Sequence, residues 1–532
     1  MTIGKLRWMT MLCLCTAAAC TANVGEEPNA QVSEAVAPLW TGTWAASPQS
    51  SGTAFNQKTL RQIVHTSISG TSARIQLSNA FGSQPVQISD VHLARRSSGS
   101  SVDASSDRPV TFGGQTSVTI PVGGVAISDS VAFAVSALSD VAVSFYLPQN
   151  TPNATSHGQG TQTNYVANGD VSGNATLSGA STTGSYYFLA NVDVQNTASL
   201  GAVVALGASI TDGVASSQDS NRRWPNDLAV RLVNSGRTVG VLNQGISGNQ
   251  LLVDGSGQSA LHRFNRDVLT QPGVKWVIFS DDPINDLGNT HPTGDQLIAG
   301  LKQLVSSAHG AGIKFICSTL TPFEGAGYWT SQGETGRQQV NTFIRSANSG
   351  CDGVIDQDSA THDPAHPTKY LPAYDAGDHL HPNEAGLQAI ANAVDLNLFS
   401  STGSSTPVVS LRAHANGKYV TAGPSPLIAD QTTIGGAQQF DELDQGGGLI
   451  AFRAHANSNY VTAENAGAAS LIANRAAIGG WEKFQLIHNG DGSVSFIAVN
   501  GKYVTAENAG AAALIANRTA IGPWEEFDLI GN

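Results

Sequence analysis

Val203-Val204-Ala205-Leu206-Gly207-Ala208-Ser209-Ile210-Thr211-Asp212 reads as a short strand with no polar face, closed by a glycine and followed at once by residues that can do chemistry. An aliphatic run without alternation marks a strand covered on both sides, and such strands belong to parallel sheets. The pattern returns at Val239 to Leu242, Trp276 to Phe279, Ile313 to Cys317 and Gly353 to Ile355. Helical patterns lie between and after these runs. Trp224, Leu228 and Leu232 share a face with Pro225 near the first turn, and Leu297, Leu301, Leu304 and Ala308 follow the capping pair Thr293 and Gln296. Leu387, Ile390, Val394 and Leu398 make the last helical stripe. Five buried strands with crossover helices predict an α/β domain over residues 199–400, with a flavodoxin-like, doubly wound parallel sheet.

Residues 39–198 have another texture. Ala73-Arg74-Ile75-Gln76-Leu77-Ser78 alternates strictly, Val86 to Leu93 and Val141 to Leu147 behave similarly, and Ser, Gly and Asn clusters punctuate them. This predicts an all-β sandwich or jelly roll. After a Ser, Thr and Gly linker at 401–406, residues 407–532 contain an internal repeat. The stretch from Arg412 recurs from Arg453 and, shortened, from Ala498; its tyrosines Tyr419, Tyr460 and Tyr503 stand 41 and 43 residues apart. Phe440, Phe484 and Phe527 recur in the same way. Three copies of a β-rich unit, none able to bury its own face, predict one closed β body. The repeat resembles the fascin-like and ricin-B-like β-trefoil modules attached to secreted carbohydrate-active enzymes. That resemblance implies polysaccharide binding on exposed aromatics; the first repeat carries Ala437 where the others carry Trp481 and Trp524.

The chain has 27 Lys and Arg against 40 Asp and Glu, a net charge of -13, and no basic stripe, which speaks against a nucleic-acid partner. With 57 glycines and only 13% charged residues, the composition suits turn-rich β structure outside the cytoplasm. Residues 1–20 read as a signal peptide, with Lys5 and Arg7 ahead of an apolar run too short to span a bilayer. Residues 21–38 read as a flexible tether. Cys20 follows Ala17-Ala18-Ala19, so the alternatives are a secreted chain and a surface lipoprotein anchored at Cys20, the one membrane attachment expected. Cys317 and Cys351 are expected as small buried hydrophobes rather than as a disulfide.

In an open parallel sheet, ligands sit beyond the carboxyl ends of the strands. There the sequence places Ser209, Asn243 to Asn249, Asn285 and the loop Asp378-His379-Leu380-His381. Acyl transfer requires such a set: a hydroxyl, an imidazole to take its proton, a carboxylate to hold the imidazole, and donors for the oxyanion. Blocks in this order resemble the SGNH hydrolases, also called GDSL esterases, and among them the esterases associated with xylan breakdown. The resemblance implies Ser209 as nucleophile, His381 as general base and Asp378 as its orienting carboxylate. It also implies an oxyanion hole from the Ser209 and Gly245 N–H groups and the Asn285 amide. The chain departs from the family in having Ala208 for the usual aspartate and Pro283 for a glycine, and Pro283 bears on how Asn285 is presented.

His362, Asp363 and His366 have metal-ligand spacing, but Pro364 and Pro367 favour a surface loop. Asp281 and Asp282 are expected to end a strand and point apart. Phe323, Tyr328 and Trp329 read equally as pocket lining and as a packed loop. His379 is a rival base, with the family spacing favouring His381. The expected function is an extracellular serine esterase, without metal or organic cofactor, acting through an acyl-enzyme on acetylated plant polysaccharide. A lipase, lysophospholipase or arylesterase is the alternative, as is a carbohydrate-binding protein whose hydrolase part has decayed.

Overall fold

The computed structural model describes residues 40–399, 408–446 and 449–531. The expected signal peptide with Cys20, the tether, and the linker at 401–406 lie outside the described residues. Among these residues, no helix is long and apolar enough to cross a membrane.

Besides a two-stranded sheet that pairs Ser156–His157 with Tyr186–Tyr187, the N-terminal segment has two large antiparallel sheets. Trp40–Ala45, Leu189–Gln195, Ser72–Ser78 and Val125–Ile127 form one, and the other centres on Lys58–Thr66, Ser139–Leu147 and Val86–Ser98. The alternation in Ser72–Ser78 is literal: Ala73, Ile75 and Leu77 are buried in a core shared with Trp44, Val143 and Phe145.

The central segment holds five parallel strands, β1 (Gly201–Gly207), β2 (Val239–Gly245), β3 (Val274–Phe279), β4 (Lys314–Ser318) and β5 (Gly353–Ile355), in the order 2-1-3-4-5. Every residue of β1 is buried, as a strand with two covered faces requires. The helices are α1 (Ser209–Asp212), α2 (Trp224–Asn234), α3 (Ala260–Phe264), α4 (Asp282–Asn289), α5 (Gly294–Gly310), α6 (Ser331–Arg345), α7 (Gln357–Thr361) and α8 (Glu384–Asn392). α2 packs on α8, while α5 packs on α3 and α6. Thr293 and Gln296 form the capping box of α5, and Pro225 sits in the first turn of α2. α8 stops at Asn392, so Val394 lies beyond it, although its side chain remains buried in the same core.

The two cysteines depart from the expected pair of buried thiols. Cys317 and Cys351 form a disulfide, with their Cα atoms 5.8 Å apart. Cys317 lies in β4 and Cys351 just ahead of β5, so pairing of these neighbouring strands brings together thiols that are 34 residues apart in sequence. Closing such a loop contributes about 3 to 4 kcal/mol on the chain-entropy account.

The N-terminal segment seals onto this domain. The Val241 N–H donates to Ser67 Oγ (2.9 Å), the Gly42 N–H to Pro272 O (2.9 Å) and the Asn191 amide to Gln271 Oε1 (2.7 Å). At the seam the backbones nearly touch: a Cβ on Gly240 would lie 2.0 Å from Gly42 O. Residues 408–446 and 449–531 form a β body closed by Phe527–Gly531 pairing with Val408–Ala413. Phe440, Phe484 and Phe527 fill its core, and Tyr419, Tyr460 and Tyr503 are half-buried at equivalent strand starts.

Candidate active site

The carboxyl ends of β1, β2 and β3 adjoin because the sheet order places β1 between the other two. β1 ends at Gly207, where a side chain would collide with Thr211 Oγ1 and Asp281 Oδ1. The turn that follows is held by Asp281. Its carboxylate accepts the Ala208 N–H (3.0 Å), the Ile210 N–H (2.8 Å) and the Thr211 hydroxyl (2.7 Å), bracketing Ser209 on both sides. Sequence reasoning treated Asp281 and Asp282 as a strand end. In the structure β3 stops at Phe279, Asp281 precedes α4, and Asp282 opens that helix, turned away toward Arg263 at 3.5 Å. The role of Asp281 follows from topology: a residue just beyond β3 meets whatever lies just beyond β1.

Ser209, only 8% exposed, meets the loop that precedes α8. His381 Nε2 lies 2.8 Å from Ser209 Oγ, and His381 Nδ1 lies 2.6 Å from Asp378 Oδ2. The other oxygen of Asp378 accepts the Leu380 and His381 N–H groups at 3.0 and 2.9 Å. Burial pushes the Asp378 carboxyl up, but hydrogen bonds from the His381 ring and from these N–H groups outweigh it and hold the group below its ordinary value. Facing an ionised carboxylate, Nδ1 carries the ring proton, and Nε2 is free to accept from the serine. His379 has a separate partner, Asp375 Oδ2 at 2.5 Å, and its backbone is left-handed (φ 61°).

Asn285 lies on α4. Its amide donates to Asn249 O (2.9 Å), and its Oδ1 accepts the Tyr328 hydroxyl (3.1 Å), which fixes the direction of the NH2 group. Burial raises the Tyr328 pKa, keeping its O–H a donor. The ring lies over Gly288, where a Cβ would be 2.1 Å away. Pro283 does not displace Asn285. It occupies the first turn of α4, where its fixed φ suits the helix and its missing N–H would have had no intrahelical acceptor.

Gly245 requires correction. Its N–H donates to Asn243 Oδ1 (2.9 Å), and it backs onto α1, so it has no donor to offer an oxyanion. Three residues on, Gly248 has a left-handed backbone (φ 78°), and its N–H has no partner among the described residues; the Ser209 N–H has none either. Gly248 adjoins Asn249, the acceptor of the Asn285 amide.

The remaining candidates disperse. Phe323 is wholly buried core, while Tyr328 and Trp329 are partly buried against it. His362 and His366 belong to a short hairpin and turn to different carboxylates, His366 to Asp363 at 3.2 Å and His362 toward Asp358 at 3.7 Å.

Residues 205–389 match the model of the GDSL-like Lipase/Acylhydrolase family. A comparison with curated protein sequences returns no match. Among solved structures, the chain is similar to a putative lipolytic protein of the G-D-S-L family from Desulfitobacterium hafniense DCB-2, at 21% identity over 36% of this chain and 97% of that one, TM-score 0.29. It is also similar to an acetylxylan esterase from Geobacillus stearothermophilus, at 22% identity over 38% and 95% of the two chains, TM-score 0.30. A designed three-fold symmetric protein, ThreeFoil, is similar at 22% identity over 24% and 99%, TM-score 0.22. The chain thus carries, across residues 205–389, a domain of the GDSL-like lipase/acylhydrolase family, and it is a carboxylic ester hydrolase.

Proposed function

We propose that Ser209, His381 and Asp378 form the catalytic triad of an extracellular esterase that removes acetyl groups from plant polysaccharide. The observation that carries this reading is the unbroken relay from hydroxyl to imidazole to carboxylate, at 2.8 and 2.6 Å. Ser209 Oγ attacks the ester carbonyl while its proton passes to His381 Nε2. The negative oxygen of the tetrahedral intermediate is met by the Ser209 and Gly248 N–H groups and the Asn285 amide. Collapse expels the alcohol, which takes the proton from His381, and leaves an acyl-serine. Water, deprotonated by the same imidazole, then releases the acid and restores the serine.

The alcohol leaves on the histidine side, where the Asp378 and His379 side chains are 53% and 56% exposed. A rim this open admits a polymeric alcohol. The disulfide fits an oxidising compartment. The test is hydrolysis of p-nitrophenyl acetate, p-nitrophenyl octanoate and acetylated xylan, each beside Ser209→Ala. We expect acetate to be preferred over octanoate by about tenfold or more in kcat/KM, with acetic acid released from xylan. Preference for octanoate would favour a lipase instead.

For residues 407–532 we propose a β-trefoil that holds the enzyme on its polymer. Trp481 and Trp524, each more than a third exposed, support this reading. Full-length Ser209→Ala protein should sediment with insoluble xylan and lose that retention when both tryptophans become Ala. Equal sedimentation with and without them would contradict it.

A further inference from the structure

We infer that His157, supplied by the N-terminal β segment, is a positioning residue of the hydrolytic site: it fixes the Asp212 carboxylate from which the loop bearing Gly248 hangs. The inference rests on the reading of Ser209 as nucleophile. His157 lies on the short strand Ser156–His157 and is 4% exposed, at the seam between the N-terminal segment and α1. Its Nδ1 faces Ser47 O at 3.1 Å, and its Nε2 faces Asp212 Oδ1 at 3.0 Å. A carbonyl can only accept, so Nδ1 carries a hydrogen. Burial by itself would lower the His157 pKa, but the Asp212 carboxylate and the Ser47 carbonyl outweigh it and raise it; the ring thus faces an acceptor at each nitrogen.

Asp212 is the last residue of α1, three after Ser209, and its N–H closes that turn on Ala208 O (2.8 Å). Its second oxygen, Oδ2, accepts both the Ser247 N–H (2.8 Å) and the Ser247 hydroxyl (2.6 Å). The chain of bonds therefore runs from the Ser47 carbonyl through His157 and Asp212 to the residue immediately before Gly248. A buried carboxylate that loses a hydrogen-bond donor must move or protonate. Either change slackens the Ser247 anchor and shifts the Gly248 N–H relative to Ser209. On this account the N-terminal segment is part of the hydrolytic machinery and more than an appended module.

The two ring nitrogens can be tested separately. In His157→Gln the amide nitrogen reaches the position of Nε2 and keeps the bond to Asp212; in His157→Asn it reaches only the position of Nδ1 and keeps the bond to Ser47. For p-nitrophenyl acetate we expect His157→Asn to lower kcat about tenfold to a hundredfold, with KM within about twofold. His157→Gln should keep kcat within about threefold, both variants having similar thermal midpoints. A role confined to holding the two segments together predicts lowered midpoints with kcat per folded molecule unchanged, and that result would overturn the inference, as would equal kcat in the two variants. Turnover that survives Ser209→Ala would instead overturn the reading of the nucleophile, and the inference with it. If His157→Asn does not fold, Ser247→Ala takes its place: loss of one anchor bond should lower kcat about threefold at unchanged KM, and no change would overturn the inference.

Discussion

Ser209→Ala should lower kcat for p-nitrophenyl acetate about 10⁵-fold to 10⁶-fold, to the residual rate that oxyanion donors and binding provide alone. The size follows from the change in route. Without the hydroxyl no acyl-enzyme forms, and His381 has only a water to deprotonate, placed where no group holds it in line with the carbonyl. The fold should be undisturbed, because the Asp281 carboxylate holds the turn through the Ala208 and Ile210 N–H groups and the Thr211 hydroxyl and does not touch the Ser209 side chain. His381→Ala should cost about as much, and the double variant little more than either alone, since the two groups act as one unit. Additive losses would mean that serine and histidine serve separate steps.

Asn285→Ala should lower kcat about 10²-fold to 10³-fold and leave KM nearly unchanged. The amide is aimed before substrate arrives: the Tyr328 hydroxyl occupies Oδ1, Asn249 O takes one N–H, and α4 fixes the backbone. A donor that need not reorient gains strength as charge builds on the carbonyl oxygen, which places its effect in the transition state. Loss confined to KM, or kcat within about threefold of the parent, would make Asn285 a brace for the Asn249 loop and nothing more.

How far the sequence reached depended on the range of the contacts. The central sheet was readable because buried parallel strands show themselves locally as unbroken aliphatic runs, and all five runs became strands. The meeting of Ser209, His381 and Asp378 was readable because Ser209 follows the first strand end and the aspartate and histidine share one loop. Gly245 was misassigned because loops with two glycines three apart look alike in sequence, whereas only the folded loop shows that the Gly245 N–H is taken by Asn243. How Pro283 bears on Asn285 was settled only by the fold, which places the proline in the first turn of α4. The disulfide was missed because Cys317, in β4, and Cys351, just ahead of β5, are separated in sequence by α6, and their adjacency depends on sheet order. His157 had no signal at all: its partner lies 55 residues away in another layer of the molecule.

The most direct test of the account is to treat the protein with a fluorophosphonate and locate the adduct by peptide mass spectrometry. Stoichiometric modification of Ser209 is expected, at a rate that collapses in His381→Ala and is retained in a His379→Ala variant. Modification at another residue, or of Ser209 at a rate indifferent to His381, would contradict the account.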